Sequence, residues 1–279
     1  MPEINNSFAS LQRLAPDAYQ ADIAIILGSG LNQLLDSFEI LQSINYQQLE
    51  GFPHSTAPGH KGCLHIARHQ GKKLVIFEGR LHMYEGWTAQ QAAMPVRLAG
   101  KMGAKHIIMT NAVGALNPGF CPGDVMLVND HINFTGASPL IGDNDDSIGL
   151  RFPDMSQAYN RSLCAIAETV FKQTAITLRN GIYAGVFGPE LETSAERRFF
   201  RLAGADAIGM SLVMETIAAV HCGMHVLALA AITNSATGGE DQQPDSIEEV
   251  MENAAISAQK ITQALPIIIE RIDLDQNRI

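Results

Sequence analysis

The residues with the greatest capacity for chemistry lie in short polar stretches that interrupt apolar runs. In GRLHMYEG (79–86), Arg80 and His82 alternate, so on an extended segment they share a face that Tyr84 continues. A guanidinium, an imidazole and a phenol on one face suit an anionic ligand, with a solvated edge strand as the alternative. LGSGLNQ (27–33) follows an apolar run and opens a helical one, which turns free backbone N–H groups and the Ser29 hydroxyl toward an anion. It is not a dinucleotide fingerprint, because Gln33 stands where the third glycine belongs, and no Walker lysine follows. GMSLV (209–213) lacks the second glycine of a nucleophile elbow, which argues against a serine hydrolase. Ser211 within it reads as an N-cap that aims a helix start at a ligand. GPELETSAE (188–196) holds two carboxylates of different standing. Glu196, three residues after Thr193, completes a capping box. Glu192 lies outside that helix, and the cap does not require it. A solvated loop carboxylate and a ligand-reading group are both open for it.

The elements that must position these groups follow from hydrophobic pattern. Apolar runs at 21–30, 73–80, 104–114 and 225–234 read as strands that end in Gly, Ser, Thr or Asn. Helical periodicity covers 89–103, 160–173, 194–204 and 211–223, and a last helix spans 247–271, opened by a cap at Ser246 and Glu249. Alternating strands and helices predict one α/β domain over 1–279, with a central mixed, largely parallel sheet flanked by helices. Ligands of open α/β sheets bind beyond the carboxyl ends of the strands, and here those ends carry Ser29, Arg80, Asn111 and Asn234. One shared site is the expectation. The loops 142–154 and 235–246 are the expected mobile segments.

Composition narrows the partners. The 279 residues include 46% hydrophobic and 17% charged side chains, with a formal net charge of −10 and no Lys/Arg block. A nucleic-acid or membrane partner would want a basic patch, so neither is expected. The polar start MPEINNSFAS has no signal-peptide pattern, and Cys63, Cys121, Cys164 and Cys222 are scattered without metal spacing. These features predict a cytoplasmic protein. GDNDD (142–146) lacks the later glycine and glutamate of a calcium loop, and no metal is assigned.

Taken together, ILGSGL, FPHSTAPGHKG, GRLHMYEG, TNAVGALNPGF, PGDVMLVNDHIN, RFPDMSQAY, GPELETSAE, GADAIGMS and AITN resemble, in order, the trimeric class of purine nucleoside phosphorylases. The resemblance implies phosphate attack on the anomeric carbon of a purine nucleoside, with inorganic phosphate as co-substrate, no cofactor, and a homotrimer. It implies phosphate contacts from Ser29, His60, Arg80, His82, Ser211 and the Ala112 backbone N–H. His60 would lie on a loop that closes over phosphate, and Tyr84 and Met210 would line the ribose. Asn234 would donate to N7 of the departing purine. Glu192 would accept from N1–H and a 2-amino group, which selects 6-oxopurines, since adenine would oppose acceptor to acceptor. His82, Asn234 and Glu192 are thus the implied catalytic residues.

The chain departs from the family pattern around sugar and base. Leu191 replaces a phenylalanine that packs on the purine, and Ile148 replaces one that reaches a neighbouring subunit's site. Ile247 takes the place of a histidine that meets the ribose 5′-hydroxyl, and Met214 replaces a proline. Each change keeps the pocket dry but removes ring stacking or a polar contact. A phosphorylase with weaker sugar binding is the first expectation. A preference for a 5′-deoxy or 5′-alkylthio nucleoside such as methylthioinosine is the second, and a non-catalytic purine-binding protein the third.

Overall fold

Isoleucine-rich runs become buried strands at the centre of the structure, a computed structural model that describes residues 2–16, 19–57, 59–240 and 242–274, with residues 2 and 247 described by backbone only. In chain order the elements are α1 (Pro2–Leu14), β1 (Ile23–Leu27), β2 (Glu39–Asn45), β3 (Cys63–His69) and β4 (Lys72–Glu78). Next come α2 (Ala89–Ala92), α3 (Met94–Lys101), β5 (His106–Ala115), β6 (Val125–Asn133), α4 (Arg161–Gln173) and β7 (Leu178–Gly185). The last are α5 (Ser194–Leu202), β8 (Ala207–Gly209), α6 (Val213–His221), β9 (His225–Ser235) and α7 (Ile247–Arg271).

Among the described residues the strands form one nine-stranded mixed sheet in the order β2-β3-β4-β1-β5-β8-β7-β6-β9. Strand β1 is central and parallel to both β4 and β5, while β2, β3 and β4 pair antiparallel. The expected open sheet is only half of the result. Strand β9 also pairs with β5, so β5, β8, β7, β6 and β9 close into a ring. Closure removes the free edge that an open sheet would leave there.

Residues alternate between two cores, as a strand buried on both faces requires. Ile23, Ile25 and Leu27 of β1 face a cluster containing Leu163 and Phe171 of α4 and Ile261, Leu265 and Ile269 of α7. Ala24 and Ile26 face the opposite cluster, with Leu11 of α1, Val96 and Leu98 of α3, and Ala218 of α6. Each fully buried aliphatic side chain contributes about 1.5–3 kcal/mol. The helical run at 89–103 is broken at Ala93, because Pro95 lacks an N–H and its ring would clash with a preceding carbonyl. Both halves still pack on α6. No helix of the described residues is long and apolar enough to cross a membrane.

Candidate active site

Turns beyond β1, β4 and β8, together with β5 and the end of β9, surround a cavity of about 270 Å³. Its wall includes Ser29, His60, Arg80, His82, Tyr84, Ala112, Leu191, Glu192, Met210, Ser211 and Asn234. Most of the residues singled out in the sequence therefore meet in one place. Backbone approach is tight beside it. A Cβ on Gly28 would lie 2.6 Å from the Thr110 carbonyl oxygen, so only glycine lets the turn after β1 rest on β5.

Arg80 anchors one end. Its side chain is 2% exposed; Nε donates to Glu215 Oε1 at 2.8 Å and Nη1 to the Thr110 carbonyl at 2.7 Å. Nη2 is buried and has no hydrogen-bond partner among the described residues. A buried guanidinium with an idle donor at a cavity wall is an anion site waiting for its acceptor. Glu215 also accepts from the Leu212 N–H at 2.9 Å, so one carboxylate holds both Arg80 and the start of α6.

Hydrogen bonding fixes the state of His60. The Arg80 backbone N–H donates to His60 Nδ1 at 3.1 Å, so the remaining ring proton sits on Nε2. Nε2 then donates to Ser29 Oγ at 3.2 Å, which leaves the Ser29 hydroxyl hydrogen for the cavity. Burial, aided by His82 and Arg80, pulls the His60 pKa down to about 3, so the ring is neutral at pH 7. His82 Nδ1 lies 3.1 Å from Glu85 Oε1, and the ring stacks on Tyr84 at 4.6 Å. Burial opposes the charge on Glu85, but hydrogen bonds from His82 and Thr56 outweigh it and hold the carboxyl at about 2. His82 therefore donates from Nδ1 and keeps Nε2 for a ligand. The same Glu85 takes the Thr56 and Ala57 N–H groups and ties down the loop that brings in His60.

The other end is built from side chains of α5, β9 and the loop before α7. Thr193 and Glu196 form the expected capping box, which fixes the backbone beside Glu192. The Glu192 side chain is 8% exposed and Arg197 Nε stands 3.9 Å from its Oε2. Burial raises the Glu192 pKa; Arg197 opposes the shift, and Asp245 and Glu196 add to it. Arg197 Nη2 donates to Asp245 Oδ2 at 2.5 Å, and Asn234 Nδ2 donates to Asp245 Oδ1 at 2.6 Å. Glu192 is no solvated loop carboxylate.

Residues 22–270 match the family model described as the phosphorylase superfamily. The chain belongs to the phosphorylase superfamily. Among similar members is purine nucleoside phosphorylase 1 of Bacillus subtilis, 45% identical over 82% of this chain and 84% of its own length. Isoform 2 of the Schistosoma mansoni purine nucleoside phosphorylase, solved with cytosine and ribose-1-phosphate, superposes with a TM-score of 0.92 at 34% identity, covering 99% of this chain and 98% of that one. A schistosoma purine nucleoside phosphorylase solved with hypoxanthine gives a TM-score of 0.89 at 32% identity over 98% of each chain.

Within this superfamily member, some expectations move. Ser211 lines the cavity but does not cap α6; the cap position is Leu212, at φ 69°, and the Glu215 side chain receives its N–H. That left-handed conformation is strained for leucine by roughly 1–3 kcal/mol and turns the chain sharply at Ser211. Ile148 lies outside the cavity, in a loop held at the far end of α6, where Asn144 Oδ1 meets His221 Nε2 at 3.0 Å. The Ile247 side chain lies outside the described residues, and Val250 lines the cavity from the same helix.

Two contributors, Glu215 and Asp245, went unread in the sequence, and a third, Asn111, was expected only as a strand-end residue. Asn111 lines the cavity with both side-chain polar atoms buried and unpartnered among the described residues. Glu215 was detectable as the lone carboxylate in SLVMETIAAV, an otherwise apolar helix. Asp245 offered no such signal.

Proposed function

We propose that the protein is a purine nucleoside phosphorylase: phosphate displaces the base of a 6-oxopurine ribonucleoside or deoxyribonucleoside and leaves the sugar 1-phosphate. The observation that carries this reading is the buried, unpartnered Nη2 of Arg80, beside a Ser29 hydroxyl whose hydrogen is free for the cavity. Phosphate accepts from Arg80, Ser29, Ser211 and the Ala112 N–H and meets His82 at Nε2, to which a phosphate hydroxyl donates, with His60 closing over it. Ribose sits against Tyr84 and Met210, with Leu191 beside the base. As the glycosidic bond stretches, positive charge on the sugar is stabilised by the phosphate beneath it. The base leaves with its developing charge met by an N–H of Asn234, while Glu192 accepts from N1–H. That acceptor is why a 6-oxopurine is favoured and adenine, with a lone pair at N1, is not.

The reaction needs phosphate as co-substrate and no cofactor, and the whole chain, 1–279, acts as one catalytic domain. The free thiols at Cys63, Cys121, Cys164 and Cys222 fit a reducing cytoplasm. A homotrimer gives Ile148 a role, since it does not line its own cavity. Light scattering in solution tests the trimer, and a monomeric mass would remove it. The reaction is tested by release of hypoxanthine from inosine with and without phosphate. Release that requires phosphate is expected; release at equal rate without it would make the protein a hydrolase, and binding of hypoxanthine with no turnover would make it a binding protein.

A further inference from the structure

Asn234 stands between two cavities. One is the main site; the other, of about 240 Å³, is walled by Gln242, Asp245 and Glu249 among others. Asp245 belongs to the second cavity and is absent from the described lining of the first. Its two oxygens are divided between neighbours of the base-reading residues: Oδ1 accepts from Asn234 Nδ2 at 2.6 Å and Oδ2 from Arg197 Nη2 at 2.5 Å. Arg197 is 3.9 Å from Glu192, and its Nε–H is buried with no hydrogen-bond partner among the described residues.

An asparagine amide can turn end for end and exchange its oxygen and nitrogen with almost no change of shape. A carboxylate only accepts, so Asp245 admits Nδ2 beside it and repels Oδ1. On the other side, the Thr233 hydroxyl lies 2.9 Å from Asn234 Oδ1 and can donate to it. With the amide held this way, Asn234 offers its second Nδ2 hydrogen to the base. Turned over, it would set an oxygen against the N7 lone pair of the leaving purine.

We propose that Asp245 is a positioning residue for both base contacts: it fixes Asn234 as a donor and holds Arg197 beside Glu192. One carboxylate outside the cavity thus sets the polarity of the base site. The inference rests on the phosphorolytic reading above.

The test compares guanosine with 7-methylguanosine, whose N7 is alkylated and accepts no hydrogen bond. Asp245→Asn is expected to lower kcat for guanosine about 10- to 100-fold. The KM for phosphate should stay within about twofold of the native value, because Arg80 and Ser29 are untouched. The loss on 7-methylguanosine should be about tenfold smaller than on guanosine. Equal losses on both nucleosides, or an unchanged guanosine rate, would overturn the proposal. If thermal melting shows that Asp245→Asn does not fold, Asp245→Glu, which keeps the charge but displaces the oxygens, is read in the same way. Native protein in the same assay separates the two claims. Absence of phosphate-dependent guanine release there would overturn the phosphorylase reading itself.

Discussion

The two ends of the cavity are built by different means. At the Arg80 end, backbone groups share the work with carboxylates: Arg80 donates to the Thr110 carbonyl as well as to Glu215, and His60 accepts from the Arg80 N–H. At the Glu192 end, side chains set one another, through Arg197 and Asp245. Backbone positions follow from which strands pair, so the backbone contacts of the first end are inherited with the fold. A side-chain network depends on a few residue identities and can change without disturbing the sheet. On the proposed reading this is a division of labour, with phosphate held largely through backbone and base choice held by replaceable side chains.

The sharpest way to break this contrast is at Glu215. Glu215→Ala removes the partner of a buried guanidinium and the cap of α6 together. A stability loss of about 3–5 kcal/mol is expected, read in calorimetry as a Tm roughly 10 °C lower. A shift within error would mean that Arg80 is not held by that carboxylate. Arg80→Met comes next, with kcat/KM for inosine expected to fall about 10²- to 10³-fold in steady-state kinetics. A fall confined to the base site, with phosphate KM unchanged, would reverse the assignment of the two ends.

Glu192→Gln should lower kcat/KM for inosine about 10- to 100-fold, and an unaffected rate would remove Glu192 from base reading. This residue also predicts a pH dependence. Burial raises its pKa above the ordinary glutamate value, so the ionised acceptor is fully present above that raised pKa and is lost as pH falls through it. The acid limb of the kcat/KM profile should therefore lie at higher pH than an unperturbed glutamate would give, and Glu192→Gln should lack it. The smallest effect is at Ile247. Ile247→His should improve inosine about fivefold relative to 5′-deoxyinosine, the scale of one new hydrogen bond; equal changes for both would separate that position from the 5′-hydroxyl.

How much of this could be read in the sequence follows the same division. Ser29, Arg80, Ala112, Ser211 and Asn234 sit on or just after apolar runs, where strand pairing gathers them, and they line one cavity as expected. Strands β2 and β6 lay outside the predicted runs, and two further strands, β7 and β8, were not legible. The first carries Arg179 and Asn180 within its length and the second has only three residues, so neither shows a clear apolar pattern. The ring closure depends on them and was hidden with them. Asp245 lies in the polar run SATGGEDQQPDS and pairs with Arg197 across 48 residues of sequence. No local period marks such a contact. The segment 235–246, read from the sequence only as a loop, supplies the carboxylate that joins α5 to β9.

The two-ended site is tested most directly by titrating phosphate and hypoxanthine separately into native and Arg80→Met protein in a calorimeter. Phosphate binding should be lost in the variant, with hypoxanthine affinity within about twofold of native, as independent sites require. Loss of both ligands, or retention of phosphate, would contradict it.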